Sequence, residues 1–477
     1  MFFNSIDFII FLPVVFFLYW FLANNIKLQN IFIVIASYVF YGWWDWRFLF
    51  LILFSTFVDY LVGISLLKEE NIRKRKILLC ISVFVNLLFL GFFKYCNFFI
   101  DNFVRAFAFF GMKLNIQHLS IVLPVGISFY TFQTMSYSID VYKNKLEPTK
   151  DFIAFVAFVS FFPQLVAGPI ERAAHLLPQF YTRREFNYDN AVNGCKQILW
   201  GFFKKVVIAD NCAIYANIIF NNFNDYSGIA LIVGAVFFAF QIYGDFSGYS
   251  DIAVGVSRLF GINLMQNFAF PYFSRSMAEF WRRWHISLTA WFRDYVYIPL
   301  GGSRRSMAVG IRNTFVIFIL SGFWHGAKWT FITWGFLNAL YFLPLLLMNK
   351  NRNYRDTVAS GRVFPGVQEI FSMTVTFGLT VFAWIFFRSE NTGYALQYIS
   401  RIFTPPFVAP FPAGKRIFLV FIILLLFLII EWNGREKSYA IEKIPFHGFM
   451  RWMCYYGILG CIILFGGTPQ TFIYFQF

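Results

Sequence analysis

Between Lys328 and Lys350 the sequence reads WTFITWGFLNALYFLPLLLMN, residues 329–349, without a single charge. A helix needs about 20 predominantly apolar residues to cross the hydrocarbon core of a bilayer, and this stretch supplies them. Uncharged runs of similar kind cover residues 8–26, 28–44, 77–93, 152–170, 226–244 and 370–387. Residues 48–67 carry one acid, Asp59, and residues 206–224 carry another, Asp210. The run Ile417–Ile430 is short, and no charged residue follows Arg451. The pattern predicts an all-α polytopic membrane protein with about 11 or more transmembrane helices.

Composition agrees with that reading. Of 477 residues, 59% are hydrophobic and 13% charged, where soluble domains carry roughly a quarter charged. Lys and Arg outnumber Asp and Glu by 40 to 24. In a membrane protein this excess is a topology signal, and no nucleic-acid partner is expected. The basic stretches Lys68–Lys76 and Arg275–Arg312 are expected to face the cytoplasm, which places the N-terminus outside. The opening MFFNSIDF lacks the basic region of a signal peptide, so the first segment is expected to remain as a span. Cys80, Cys96, Cys195, Cys212, Cys454 and Cys461 form no C-x-x-C pair and read as buried thiols, without a metal site.

A strict up-and-down count fails between Lys94 and Arg275, so re-entrant or half-spanning segments are predicted. The candidate is Leu123–Tyr137, where Pro124, Gly126, Ser128, Gln133 and Ser136 interrupt an apolar run. Such backbone survives at membrane depth where protein or a water-filled cavity satisfies it. A kinked helix is the alternative.

Ionisable groups within lipid are costly and mark functional cavities. His118, His175 and His447 sit near segment ends, where a solvated imidazole needs no special role. His325 is different: it lies in Ser321-Gly322-Phe323-Trp324-His325-Gly326-Ala327, in an uncharged stretch with glycines on both sides. A neutral ring there is able to take a proton from a hydroxyl, and the competing reading is a structural histidine bonded to a carbonyl. His285 lies in the arginine-rich stretch. On a helical wheel Phe280, Trp284, Leu288 and Trp291 form one stripe, which predicts an interfacial amphipathic helix. Its arginines suit either lipid headgroups or an anionic phosphate-bearing ligand. In Gly244-Asp245-Phe246-Ser247-Gly248-Tyr249-Ser250-Asp251, the two acids are expected to fix helix ends or bind Arg or Tyr partners, supporting a nearby site. No P-loop or H-E-x-x-H string occurs.

Seven blocks in order resemble the membrane-bound O-acyltransferase (MBOAT) family, in the bacterial branch of alginate and peptidoglycan O-acetylation and teichoic acid D-alanylation. They are FNSIDFIIFLPVVFFLYW, LPVGISFYTFQTMSYSIDVY, FFPQLVAGPIER, QIYGDFSGYSDIAVG, FWRRWHISLTAWFRDYVYIPLGG, SGFWHGAKWTFITWG and FIYFQF. The resemblance runs nearly end to end and implies a single funnel-like membrane domain over residues 1–477. It assigns the family's catalytic histidine to His325 and its second motif histidine to His285, with Trp324 supporting. It implies no permanently bound cofactor, and transfer of an acetyl group from a cytoplasmic donor, acetyl-CoA, across a bacterial inner membrane to a polysaccharide. An extracytoplasmic esterase-like partner completes delivery. Arg282, Arg283 and Arg293 suit the donor's phosphates. Residues 472–477 resemble an aromatic acyl-relay tail in which Tyr474 carries the acyl group, an interfacial aromatic anchor being the alternative. Two rival classes remain: a transporter or flippase of a glycan or lipid precursor, and a scaffold of a cell-envelope complex.

Overall fold

A computed structural model describes residues 1–303, 305–408, 416–445, 448–466, 470 and 472–473. Tyr474 and His447 lie outside the described residues. All regular structure among the described residues is helical. Among the described residues, seven helical segments are long and apolar enough to cross a membrane: Ile26–Lys68, Ile72–Phe109, Gly228–Leu259, Met307–His325, Trp329–Leu347, Val367–Arg388 and Arg416–Gly434. Ile6–Phe21 and Phe449–Phe465 are shorter apolar helices. The first segment contains two helices, Ile26–Asp45 and Leu49–Lys68, separated by a 3₁₀ turn at Trp46–Phe48.

One stretch of spanning length is instead broken. Within 152–170 the helix Phe152–Ser160 stops before Pro163, and only a short turn, Phe162–Leu165, follows. Proline lacks the N–H that would continue the ladder. Residues 206–224 belong to a helical run that continues from Tyr188–Phe202 through a wide π turn over Phe203–Ala209 into Asp210–Asn221. Conversely, Gly228–Leu259 runs 32 residues, well past the charges at Asp245 and Asp251.

The chain forms two compact units, residues 1–194 with 256–265 and residues 195–255 with 266–477. In the first unit, the polar segment after Pro124 becomes the helix Ile127–Tyr142, with 14 of its 16 residues buried. Its polar side chains find protein partners. Gln133 donates to the Phe158 carbonyl at 2.6 Å, and Ser138 donates to Asp59 at 3.1 Å. Asp59 also accepts from Ser82 and Asn86, so the lone acid of that span ends in a satisfied cluster. Arg184 is held by Gln29 and Asn30.

In the second unit, Met307–His325 and Trp329–Leu347 form a helical hairpin around Gly326-Ala327-Lys328. Ser306 caps its start by accepting from the Val309 N–H. A Cβ on Gly322 would lie 2.2 Å from the Phe331 carbonyl oxygen, and one on Gly335 would lie 2.2 Å from that of Phe318. Glycine at both positions lets the two backbones touch. The glycines beside His325 thus serve helix packing.

All six cysteines are free, and only Cys212 is buried; Cys80 and Cys195 are exposed. Cys80 lies on the outward face of an apolar lipid-length helix, and Cys195 lies between Gly194 and Lys196 on the helix Tyr188–Phe202, so neither is buried.

Candidate active site

His325 is the last residue of the Met307–His325 helix, and 3% of its surface is exposed. Its ring lies edge-on to Trp334 with centroids 5.2 Å apart, and 5.3 Å from Phe387. Trp324 stands 5.0 Å away on the same turn. Trp334 stacks on Trp384 at 5.5 Å, and Trp384 packs against Trp284 at 5.1 Å. Aromatic pairs of this kind contribute about 0.5–1.5 kcal/mol each beyond their burial, enough to fix the orientation of the cage.

His285 completes the cluster, with its ring centroid 6.3 Å from that of His325 and 5.9 Å from Trp324. Phe246 packs edge-on against its other side at 4.7 Å. Burial in this apolar setting pulls the His285 imidazole down to about 3, because desolvation disfavours the charged ring.

The predicted amphipathic helix around His285 is not continuous. Met277–Arg283 and Ile286–Phe292 are separate short helices, with Trp284 extended and His285 left-handed at φ 43°. An irregular stretch of backbone around Asn267 takes the hydrogen bonds that a continuous helix would have made. Asn267 accepts from the Ile286 N–H through its carbonyl and from the Ser287 hydroxyl through its side chain, and the Ala269 N–H donates to the Arg283 carbonyl. The stripe Phe280, Trp284, Leu288 and Trp291 is buried in protein. A left-handed non-glycine residue costs of order 1–3 kcal/mol and persists where its surroundings hold it. Here the break sets the His285 ring among Phe246, Trp324 and His325.

The three arginine candidates differ in what they touch. Arg282 donates to the carbonyls of Asn351, Asn353 and Tyr354 at 2.6–2.9 Å. Arg283 pairs with Glu279 and donates to the carbonyls of Ala269 and Asp356. Both guanidinium groups therefore clamp the loop 351–356. Arg293 is an exposed partner of Asp294 at 2.7 Å. A pocket of about 520 Å³ opens beside the clamp, lined by Arg282, Arg283, Arg352, Tyr354 and Arg355. Arg352 and Arg355 are exposed there, and sequence reading passed over them although Lys350–Arg362 is a visibly basic segment.

Asp245 and Asp251 pair with lysines, in place of the expected Arg or Tyr. Lys205 Nζ lies 2.7 Å from Asp245 and 2.9 Å from Asp210, and Lys204 Nζ lies 2.6 Å from Asp251. Gly201 and Gly248 bring the two helices together: a Cβ on either would lie within 2.7 Å of the other's carbonyl oxygen. Tyr243 donates to Glu431 at 2.7 Å in the same region. The signal missed in the sequence was the adjacent pair Lys204-Lys205, followed by Asp210, against an apolar run. Among the described residues, no three His, Cys, Asp or Glu side chains are arranged to hold a metal ion.

Residues 146–387 match the pattern of MBOAT, the membrane-bound O-acyltransferase family, a stretch that contains both histidines. The chain belongs to the membrane-bound O-acyltransferase family. This acyltransferase is 39% identical to a probable alginate O-acetylase AlgI of Pseudomonas aeruginosa over 84% of its own length and 74% of that protein. It is 32% identical to a peptidoglycan O-acetyltransferase of Helicobacter pylori over 98% of its own length and 95% of the relative. A teichoic acid D-alanyltransferase of Bacillus subtilis matches at 29% identity, over 56% and 69% of the two chains. The protein is a multi-pass membrane O-acyltransferase.

Proposed function

We propose that this acyltransferase moves an acetyl group from acetyl-CoA on the cytoplasmic side of a bacterial inner membrane toward an exported or cell-envelope polysaccharide. The observation that carries the reading is the buried His325–His285 pair, 6.3 Å apart within an aromatic cage, in a chain similar to two polysaccharide O-acetylating proteins. His325 serves as general base. It takes the proton of an attacking hydroxyl as that oxygen bonds to the acetyl carbonyl carbon. The carbon–sulfur bond of the thioester then breaks, and the thiolate leaves with a proton returned through the imidazole.

A positioned base of this kind contributes typically 10²–10⁴-fold in rate. His285 packs into the same aromatic cluster through Phe246 and Trp324. The pocket beside the Arg282–Arg283 clamp suits the donor's phosphates, with Arg352 and Arg355 presenting guanidinium groups. Tyr474 is the proposed first acceptor: its phenol oxygen takes the acetyl group as an aryl ester. An extracytoplasmic esterase-like partner then carries the group to the polysaccharide.

The test is polysaccharide acetylation in cells carrying wild-type protein, His325→Ala or His285→Gln at equal membrane abundance. Loss of acetyl groups with His325→Ala is expected. Unchanged acetylation with a failure to export the glycan would support a transporter instead.

A further inference from the structure

The Lys205–Asp245 pair has a second set of partners. Lys205 Nζ donates to the Gln470 carbonyl at 3.1 Å, and Asp245 Oδ2 accepts the Ile473 N–H at 2.6 Å. Between those two bonds, the Phe472 ring packs on Tyr249 with centroids 4.7 Å apart. Phe472 and Ile473 are 4% and 1% exposed. One helix therefore carries both contacts: Asp245 holds the segment, while its neighbour Phe246 touches His285 at 4.7 Å and Phe472 at 6.4 Å.

Packing alone does not account for the charges. A lysine buried between Asp210 and Asp245 is expensive, and a well-packed apolar set of similar volume is often at least as stable. What the charged trio adds is a pair of directional, charge-assisted hydrogen bonds to the backbone of residues 470 and 473. A backbone recognised in this way is fixed in register, and the residue after Ile473 in sequence is Tyr474.

We propose that the Lys205–Asp245 pair is a docking seat for the backbone of residues 470 and 473, and that both side chains are positioning residues for acyl transfer through the segment that follows. This rests on the relay role given to Tyr474 above. The experiment uses full-length protein in lipid nanodiscs carrying Ile473→Cys. The rate of modification by a small methanethiosulfonate is read by mass spectrometry at residue 473, apart from the native cysteines. Acetyl transfer is followed in parallel.

Slow modification is expected in the otherwise unchanged chain, with at least a tenfold acceleration by Asp245→Asn or Lys205→Met and restoration by Asp245→Glu. Transfer by the first two is expected to fall in kcat, with KM for acetyl-CoA unchanged. Phe472→Ala, which leaves the ion pair intact, guards against a folding defect and is also expected to speed modification. Equal modification rates in all variants would overturn the seat. Tyr474→Phe tests the relay separately: full transfer by that variant, with residue 473 still protected by Asp245, would sink the relay and keep the seat.

Discussion

The rings of His285 and His325 stand 6.3 Å apart, brought together by two breaks in regular structure. His325 ends one helix before an extended Gly326. His285 occupies a left-handed turn between two short helices. The site is built where helical hydrogen bonding stops, on scaffolds whose aromatic packing does not.

The pH dependence of stability follows from the burial of His285. Its folded-state value near 3 lies below its ordinary value of 6.5. The unfolded chain therefore binds the extra proton between those limits. The contribution of the neutral ring is complete above pH 6.5 and is lost as pH falls toward 3, at about 1.4 kcal/mol per unit. His175 is raised by its hydrogen bond to Glu171; its contribution is complete below pH 6.5 and is lost at higher pH. Thermal unfolding from pH 6.5 to 5 is expected to show a falling midpoint in the wild type and a flatter profile in His285→Gln.

The helical hairpin that carries His325 depends on glycine at its seam. Gly322→Ala and Gly335→Ala each place a Cβ 2.2 Å from a backbone carbonyl oxygen. Overpacking of this kind costs typically 1–3 kcal/mol, so both variants are expected to unfold at lower temperature. Gly378→Ala is the control, because a Cβ there meets nothing within 4 Å. A seam variant as stable as that control would contradict the packing.

Arg282 and the pocket arginines are expected to separate by assay. Arg282 spans three carbonyls of the 351–354 loop, which a lysine's single ammonium does not match. Arg282→Lys should speed tryptic cleavage within Lys350–Arg362 roughly tenfold, since hydrogen bonds to charged groups contribute about 1.5–3 kcal/mol. Arg352→Ala with Arg355→Gln should raise KM for acetyl-CoA several-fold and leave kcat in place. An unchanged KM would remove the donor from that pocket.

The sequence displayed the helical membrane class, because lipid-length apolar runs need no tertiary information to be read. It also displayed the burial of His325, an imidazole between glycines in an uncharged stretch. It hid the break at His285, since the stripe from Phe280 to Trp291 fits a helix until Asn267 arrives from elsewhere in the chain. It hid the length of Gly228–Leu259, since acids that look like an end are neutralised by Lys204 and Lys205 from another helix. In each case the missing term was a hydrogen-bond or ion partner distant in sequence.

The most direct test of the central claim is acetyl transfer from radiolabelled acetyl-CoA by purified protein in lipid, comparing wild type, His325→Ala and Tyr474→Phe. The account predicts label on the wild-type chain, a 10²–10⁴-fold slower reaction in His325→Ala, and no label on Tyr474→Phe. Label appearing on a correctly folded His325→Ala protein at the wild-type rate would contradict it.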